Sequence, residues 1–368
     1  MTGFSLLAKV KRSASAMGVG LAVLGAGVGL AGQAQAAPLV PAAPQASAAG
    51  AARPAMLSGV SCVRPSWCLA VGTAFGAHGA SQDLAETWNG TSWRLLASPP
   101  GTGLATVACS ATWYCLAFGR PARETPAFQW NGHKWLKIAE PRGASSVPSC
   151  ASRTMCVIGN SYSQSVLSWN GKKWTNSQMC GGGASAVCVT STACASASLC
   201  MAVGAVRNEI YVENASASLW DGKQWANSFL PNAEDGGTYS TLNDVSCAGQ
   251  SCLALGTTDY EWDNTTQTWQ DVTPTNGVST LGRALSCSSG TECMVIGYDP
   301  VNAWWHDGTW TATQFAPSGK HSLFGAVSCK SGSCVAVGSD YVAGKQGPIA
   351  ESWNGTAWKL IAPKSPAS

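Results

Sequence analysis

Gly59-Val60-Ser61-Cys62, five residues, Cys68-Leu69-Ala70-Val71-Gly72, a variable interval, then Glu86-Thr87-Trp88-Asn89-Gly90-Thr91-Ser92-Trp93: this stretch recurs along the chain with its order kept. The last copy reads Ala326-Val327-Ser328-Cys329, four residues, Cys334-Val335-Ala336-Val337-Gly338, then Glu351-Ser352-Trp353-Asn354-Gly355-Thr356-Ala357-Trp358. Seven copies lie between Met56 and Pro363, their first cysteines 47, 41, 44, 53, 40 and 42 residues apart. Such self-similarity identifies a repeat architecture, and the period is that of propeller blades. The best-marked residues are therefore scaffold rather than chemistry.

Each unit reads as four short strands. The first ends at the first Cys, the second starts at the second Cys, the third runs into the first Trp and the fourth leaves the second Trp. These runs are β-branched, aromatic or alternating, with Gly, Pro and Asn at their edges. Between the tryptophans, Asn89-Gly90, Asn131-Gly132, Asn170-Gly171, Asp221-Gly222 and Asn354-Gly355 predict the tight hairpin turn in which both central φ angles are positive. Trp305-His306-Asp307-Gly308 shifts that signal by one residue, and Trp262-Asp263-Asn264 opens it into a longer loop. The expected fold is all-β: a seven-bladed β-propeller with four antiparallel strands and one disulfide per blade. A closed ring is favoured over an open solenoid because closure leaves only short, protected edges. How the ring closes stays open at this point.

All 16 cysteines follow residue 36. Fourteen form close pairs, Cys62/Cys68, Cys109/Cys115, Cys150/Cys156, Cys194/Cys200, Cys247/Cys252, Cys287/Cys293 and Cys329/Cys334. Cys180 and Cys188 remain and are expected to pair, although Cys188 stands at the same spacing from Cys194. An even count in an exported chain reads as disulfides. Tetrahedral zinc usually needs two such pairs or added histidines. Here each pair sits in its own repeat, and His78, His133, His306 and His321 occupy non-equivalent places. No metal and no cofactor is expected.

Residues 1–36 read as a signal peptide: Lys9, Lys11 and Arg12, then the apolar stretch Met17 to Leu30, then Ala34-Gln35-Ala36. Residues 37–56 form an Ala/Pro-rich linker, 57–363 the propeller and 364–368 a short tail. Removing the signal takes three of the 22 Lys+Arg and leaves 19 against 19 Asp+Glu. With a net charge of zero and no basic run longer than Lys172-Lys173, nucleic acid is a poor partner. No membrane span is expected after signal cleavage. The expected location is extracellular or at the cell wall, as a monomer.

The repeat resembles the kelch-type blade, whose motif has apolar strands, glycine after the second strand and an aromatic-Asp turn leading to Trp. Trp262-Asp263-Asn264-Thr265-Thr266-Gln267-Thr268-Trp269 matches it best. Gly72, Gly119, Gly159, Gly204, Gly256, Gly297 and Gly338 stand singly where kelch has a glycine doublet. The units are also similar to cysteine-containing, propeller-like repeats of exported actinobacterial proteins. That resemblance implies a kelch-like propeller over nearly all of 57–363.

In such a blade the Cys loop and the Trp turn share one face and are nearly constant in length. The other face carries the loops between second and third strands and the connections between blades. From blade glycine to first Trp the intervals are 16, 11, 10, 16, 6, 8 and 15 positions. Variable loops on a rigid scaffold are where binding usually resides. Candidate binding residues there are Tyr162, Tyr211, Asp259, Tyr260, Tyr298, Asp299, Asp340 and Tyr341, whose rings and carboxylates suit an extracellular glycan or protein. Glu86 and Glu351 occupy equivalent positions, and strand alternation puts both on the Trp side, which argues for a structural contact.

No catalytic residues are assigned. A copper oxidase site would need paired His ligands and a Tyr–Cys link, while the cysteines here are committed to disulfides. A sialidase-like site would need an Arg cluster and turns spaced differently from Asn-Gly-x-x-Trp. A two-carboxylate hydrolase, or a self-associating surface protein, are the alternatives to a non-catalytic binder.

Overall fold

The computed structural model describes residues 53–76, 80–99, 101, 103–120, 125–160, 163–179, 189–207, 213–231, 240–297, 301–316, 322–342 and 345–366. Every regular element among them is a β-strand, and the strands form seven four-stranded antiparallel sheets, each in sequential order. The blades span 55–95, 104–137, 149–178, 191–228, 242–271, 282–314 and 323–360. This is the expected seven-bladed propeller. The first strands of all seven blades line a central channel of about 260 Å³.

The repeat motif is one transverse row of the sheet. In blade 1, Cys62 pairs with Cys68, Cys68 with Trp88, and Trp88 with Trp93, so the row crosses all four strands. The same row runs through blade 7 as Cys329, Cys334, Trp353 and Trp358. The paired indoles stand 5.1–5.8 Å apart, tilted against each other.

Every blade carries its expected disulfide across the first two strands. The bonds are Cys62–Cys68, Cys109–Cys115, Cys150–Cys156, Cys194–Cys200, Cys247–Cys252, Cys287–Cys293 and Cys329–Cys334. The second sulfur of each pair belongs to the core: Cys68, Cys115, Cys156, Cys200, Cys252, Cys293 and Cys334 are all buried. Cys156 packs with Tyr114 and Trp169, Cys252 with Trp262 and Trp269, and Cys293 with Trp305 and Trp310. These cysteines are thus packing residues as well as staples. Their burial follows from the register, which sets each second Cys directly beside the first Trp of its own blade, as Cys156 beside Trp169, Cys252 beside Trp262 and Cys293 beside Trp305. Cys194 is bonded to Cys200, which removes it as a partner for Cys188. Cys180 and Cys188 lie outside the described residues.

The turn inside the transverse row differs from expectation. Because Trp88 pairs directly with Trp93, four residues close the hairpin rather than two. Asn89 Oδ1 accepts the N–H groups of Thr91 (2.9 Å) and Ser92 (2.8 Å), and only Gly90 takes a positive φ, 96°. Asn131, Asn170, Asp221 and Asn354 close their turns in the same way. The side chain, not a left-handed backbone, is what selects Asn or Asp here. The two-residue turn occurs in blade 6, where His306 pairs with Thr309 and both Asp307 (43°) and Gly308 (80°) have positive φ.

The blade glycine also has a mechanical reason. Gly72 lies opposite Leu57, and a bulge follows in the first strand before Gly59 meets Val71. The bulge brings the Met56 carbonyl into the space a Cβ on Gly72 would need. Gly256 faces Thr241 O and Gly338 faces Leu323 O in the same manner. Only a residue without a side chain allows this approach.

The core is a set of blade-to-blade interfaces rather than one centre. Leu69, Val71 and Ala85 of blade 1 pack against Leu104, Val107, Cys115, Phe128 and Trp130 of blade 2. The Cys–Trp face of each blade thus looks toward the preceding blade. Closure follows the same rule without strand exchange: Leu57, Trp88 and Trp93 of blade 1 pack on Val335, Val337 and Ala350 of blade 7.

Hydrogen bonds stitch the inner strands around the ring. The Ser before the first Cys accepts the backbone N–H of the next blade's first Cys: Ser61 from Cys109, Ser149 from Cys194, Ser246 from Cys287, Ser286 from Cys329 and Ser328 from Cys62, all at 2.8–2.9 Å. Ala108 and Ala193 hold this position in blades 2 and 4 and supply no such acceptor. The Ser328–Cys62 bond crosses the junction between the last blade and the first. Ser328→Ala should therefore lower stability by about 1–2 kcal/mol, read as a fall in the urea midpoint. An unchanged midpoint would remove this stitch from the account.

A second device holds the connections. Two residues before the first Trp, the side chain points to the preceding blade's outgoing segment. Glu351 Oε2 accepts the Ala316 N–H (2.8 Å), and Glu86 Oε2 accepts the Lys364 N–H (2.8 Å) from the segment leaving blade 7. The structural contact expected for this pair is what the fold contains. Arg53 N–H also donates to Pro366 O at 3.1 Å, so both ends of the described chain are tied together.

Candidate functional site

The long intervals counted in blades 1, 4 and 7 appear as extensions of the hairpin between second and third strands. In blade 7 it runs through Ser333–Val342 and Lys345–Trp353, and in blade 1 through Trp67–Phe75 and Ser81–Trp88. Blades 7 and 1 are ring neighbours, so one side of the variable face is raised. The loop-length pattern was readable in the sequence because strand extension costs residues one for one.

The candidate residues on this face are used unequally. Tyr162, Tyr211, Tyr298 and Asp299 lie outside the described residues. Tyr260 is buried, and its hydroxyl donates to Pro231 O at 2.9 Å. It occupies the position of Glu86 and Glu351 and holds the connection between blades 4 and 5. Asp259 is also buried. Its carboxylate accepts the Gly256 N–H (3.1 Å) and the Thr280 hydroxyl (2.6 Å), and burial raises its pKa above the ordinary value. Asp340 is buried and accepts the N–H of Tyr341 at 2.8 Å. Tyr341 is 46% exposed on the raised hairpin. Of the described candidates it alone offers its ring to a partner.

A depression of about 270 Å³ opens at the variable-face mouth of the channel, spanning blades 2 to 6. Thr106, Ser146, Thr190, Ser191, Asn243, Asp244 and Arg283 line it. Its anchor is Asp244, three positions before a first Cys. Oδ1 accepts the Ser191 hydroxyl of blade 4 (2.7 Å) and the Val245 N–H (2.9 Å), and Oδ2 accepts the Leu285 N–H of blade 6 (3.0 Å). One carboxylate thus joins three blades. Its carboxyl group is enclosed even though the residue as a whole is only partly buried, and burial lifts its pKa to about 6 against the pull of those hydrogen bonds. The Thr190 hydroxyl donates to Leu242 O (2.7 Å) beside it. The sequence reading passed over these residues because it searched the loops. Reading down the column three before each first Cys (Gly59, Thr106, Val147, Ser191, Asp244, Ala284, Ala326) singles out the acid.

Apolar side chains are also exposed on this face. Val147 is 60% exposed, Leu281 79%, Leu323 46% and Phe229 85%, all on segments that enter or leave blades on this side. The remaining buried carboxylates serve the scaffold. Glu86 and Glu351 are fully buried with pKa values raised to about 7 by burial, and Asp83 accepts the Gly103 N–H at 2.6 Å. Among the described residues no group of three or more His, Cys, Asp and Glu is arranged to hold a metal ion.

No protein-family model and no curated protein sequence matches the chain. Solved structures do. A GH74 enzyme of Niastella koreensis superimposes with a TM-score of 0.55 at 11% identity over 85% of this chain and 55% of that one. The chain thus spans about half the length of that enzyme. The WD40 β-propeller domain of Doa1 superimposes with a TM-score of 0.53 at 12% identity, covering 83% and 95% of the two chains. YCF48 bound to D1 peptide reaches 0.48 at 13% identity, covering 81% and 93%. The likeness is one of fold alone.

Proposed function

We propose that this chain is an exported, kelch-like propeller that binds an extracellular partner non-catalytically on its variable-loop face, and that the partner is a polypeptide. Export rests on the residue 1–36 pattern together with disulfides of a kind that persist in oxidising compartments. The choice of polypeptide rests on one observation. Val147 lines the small polar mouth, Leu281 directly precedes its lining residue Gly282, and Leu323 begins the inner strand of blade 7; these three aliphatic side chains are 46–79% exposed. Exposed aliphatic side chains rimming polar groups mark protein contacts, whereas sugars favour aromatic platforms. The hydrolase alternative shares a fold with the GH74 neighbour, but the carboxylates described here are engaged as scaffold acceptors.

Screening the mature protein against peptide and glycan arrays, with hydrolysis assays on the same glycans, tests this reading. The expected result is selective peptide capture with no product formed. The double substitution Val147→Asp and Leu281→Asp should weaken capture at least about tenfold, since two apolar contacts of this size carry that much binding free energy. Turnover of a glycan, or capture indifferent to both substitutions, would overturn it.

A further inference from the structure

We infer that a second, separate site lies on the opposite face of the ring, across blades 2 to 4, and that it takes a linear acidic polysaccharide. This is the face of nearly constant loops, built from the Cys loops and the Trp turns. The fold asks little of the side chains there. Each turn is closed by an Asn or Asp Oδ1 that accepts backbone N–H groups, so the two residues before the second Trp need supply only their amides. Blades 1 and 7 fill those positions with Thr91-Ser92 and Thr356-Ala357. Blades 2, 3 and 4 fill them with His133-Lys134, Lys172-Lys173 and Lys223-Gln224.

The Cys loops show the same departure. Two residues before the second Cys, the other blades carry Ser66, Thr154, Ser198, Gln250, Thr291 and Gly332, whereas blade 2 carries Trp113. Trp113 is 52% exposed. Its base packs on Gly132 of the turn, and its ring stands edge-on to Tyr114 with centroids 6.2 Å apart. Tyr114 is fixed to blade 3, its hydroxyl accepting the Trp169 indole N–H at 2.9 Å. The exposed ring thus sits on a rigid support, which lowers the ordering cost of binding.

Arg153 of blade 3 comes next along the face. Burial raises the Tyr114 pKa, while the Trp169 hydrogen bond and the nearby Arg153 charge oppose that rise. The Arg153 carbonyl and Thr154 in turn abut Gly171, in the turn that carries Lys172 and Lys173. Trp113, Lys134, Arg153, Lys172 and Lys173 therefore form one continuous surface. On the loops of this face, blades 2 to 4 hold Lys134, Arg153, Lys172, Lys173 and Lys223 against Asp221, whose Oδ1 is engaged in its own turn. These cations are exposed and make no ion pair among the described residues. Blades 5 to 7 reverse the balance, with Asp263, Glu292 and Asp307 against Lys330.

Unpaired cations gathered on one arc call for a polyanion. Trp113 is the only large apolar side chain exposed on these loops among the described residues, so the apolar centre of a protein interface is missing. An exposed indole edged by cations instead suits a charged sugar, which stacks a C–H face on the ring and sets its negative group against Lys or Arg. Because the cations recur from blade to blade, a polymer with a charge on each unit can follow the arc. This site does not rest on the polypeptide reading of the variable face.

Titration calorimetry on the full mature chain tests it, with an oligogalacturonate as probe and polyglutamate and a neutral galactose oligomer as controls. The acidic sugar should bind at least about tenfold more tightly than either control. Lys172→Thr with Lys173→Ser gives blade 3 the turn residues of blade 1 and so keeps the fold. That pair should weaken binding about tenfold and reduce its salt dependence. Trp113→Ser gives blade 2 the residue of blades 1 and 4, and should remove the preference over polyglutamate. Val147→Asp with Leu281→Asp, on the other face, should leave binding intact. No saturable binding, equal binding of polyglutamate, or an affinity that survives the lysine and tryptophan substitutions would overturn the proposal. So would stronger capture by phosphatidylglycerol vesicles, which would give this face to an anionic membrane.

Discussion

Raising the pH from 5 to 8 should destabilise this ring, with most of the loss falling below about pH 7 and little change above it. Glu86 and Glu351 are fully buried in the fold and their pKa values are raised to about 7. In the unfolded chain both return to the ordinary value near 4.5. Between those values the folded state binds more protons than the unfolded one, so stability is complete below the unfolded pKa and is lost as pH climbs through the folded pKa. The size is about 3 kcal/mol per glutamate. The structural reason is that each carboxylate has one oxygen on a backbone N–H and the other, Oε1, with no partner among the described residues. Asp244, raised to about 6, adds a loss of the same sign at somewhat lower pH. Urea unfolding midpoints across this range provide the measurement. Glu86→Gln with Glu351→Gln keeps both N–H acceptors and should flatten most of the slope, making the variant the more stable protein at pH 8. A wild-type midpoint that is level from pH 5 to 8 would sink the argument.

Gly72→Ala should be among the most damaging single substitutions in the chain, costing about 3 kcal/mol. The added methyl meets the Met56 carbonyl and the Leu57 Cα, both backbone. Neither can rotate away as a side chain would. Relief requires undoing the bulge between Leu57 and Gly59, which itself sets the strand against blade 2. Gly347→Ala is the matched comparison, in the third strand of blade 7 with nothing within 4 Å of its Cβ position. It should be close to neutral by thermal melting. Similar losses at both positions would mean that the cost is generic to glycine replacement rather than due to the close approach.

The repeat made the architecture legible because each element of the motif has a local cause. Paired cysteines close the first hairpin, Asn or Asp closes the second, and a glycine admits the bulge. Local causes can be read from neighbouring residues. Blade number, strand number and the long hairpins of blades 1, 4 and 7 all follow from such spacing. The turn type was misjudged for a related reason. An Asn-Gly pair suits both a two-residue turn and a four-residue loop closed by Oδ1, and only the Trp88–Trp93 register separates them.

The site was much less legible. Asp259 and Tyr260 looked like loop residues available to a ligand, yet Asp259 is bonded to Thr280 and Tyr260 to Pro231. Those partners are 21 and 29 residues away, and nothing in the local sequence announces them. Asp244 shows the converse. It sits inside an ordinary first strand and gains its role because Ser191 and Leu285 of flanking blades converge on it.

Chain order alone determined that seven similar sheets would form, each laced by a Cys–Cys–Trp–Trp row. Those contacts span a few to a few tens of residues, and every unit states them again. Tertiary structure alone decided which side chains remain available, because each blade's polar groups are claimed or spared by its neighbours. Whether a carboxylate grips a connection depends on how two non-adjacent segments meet across an interface.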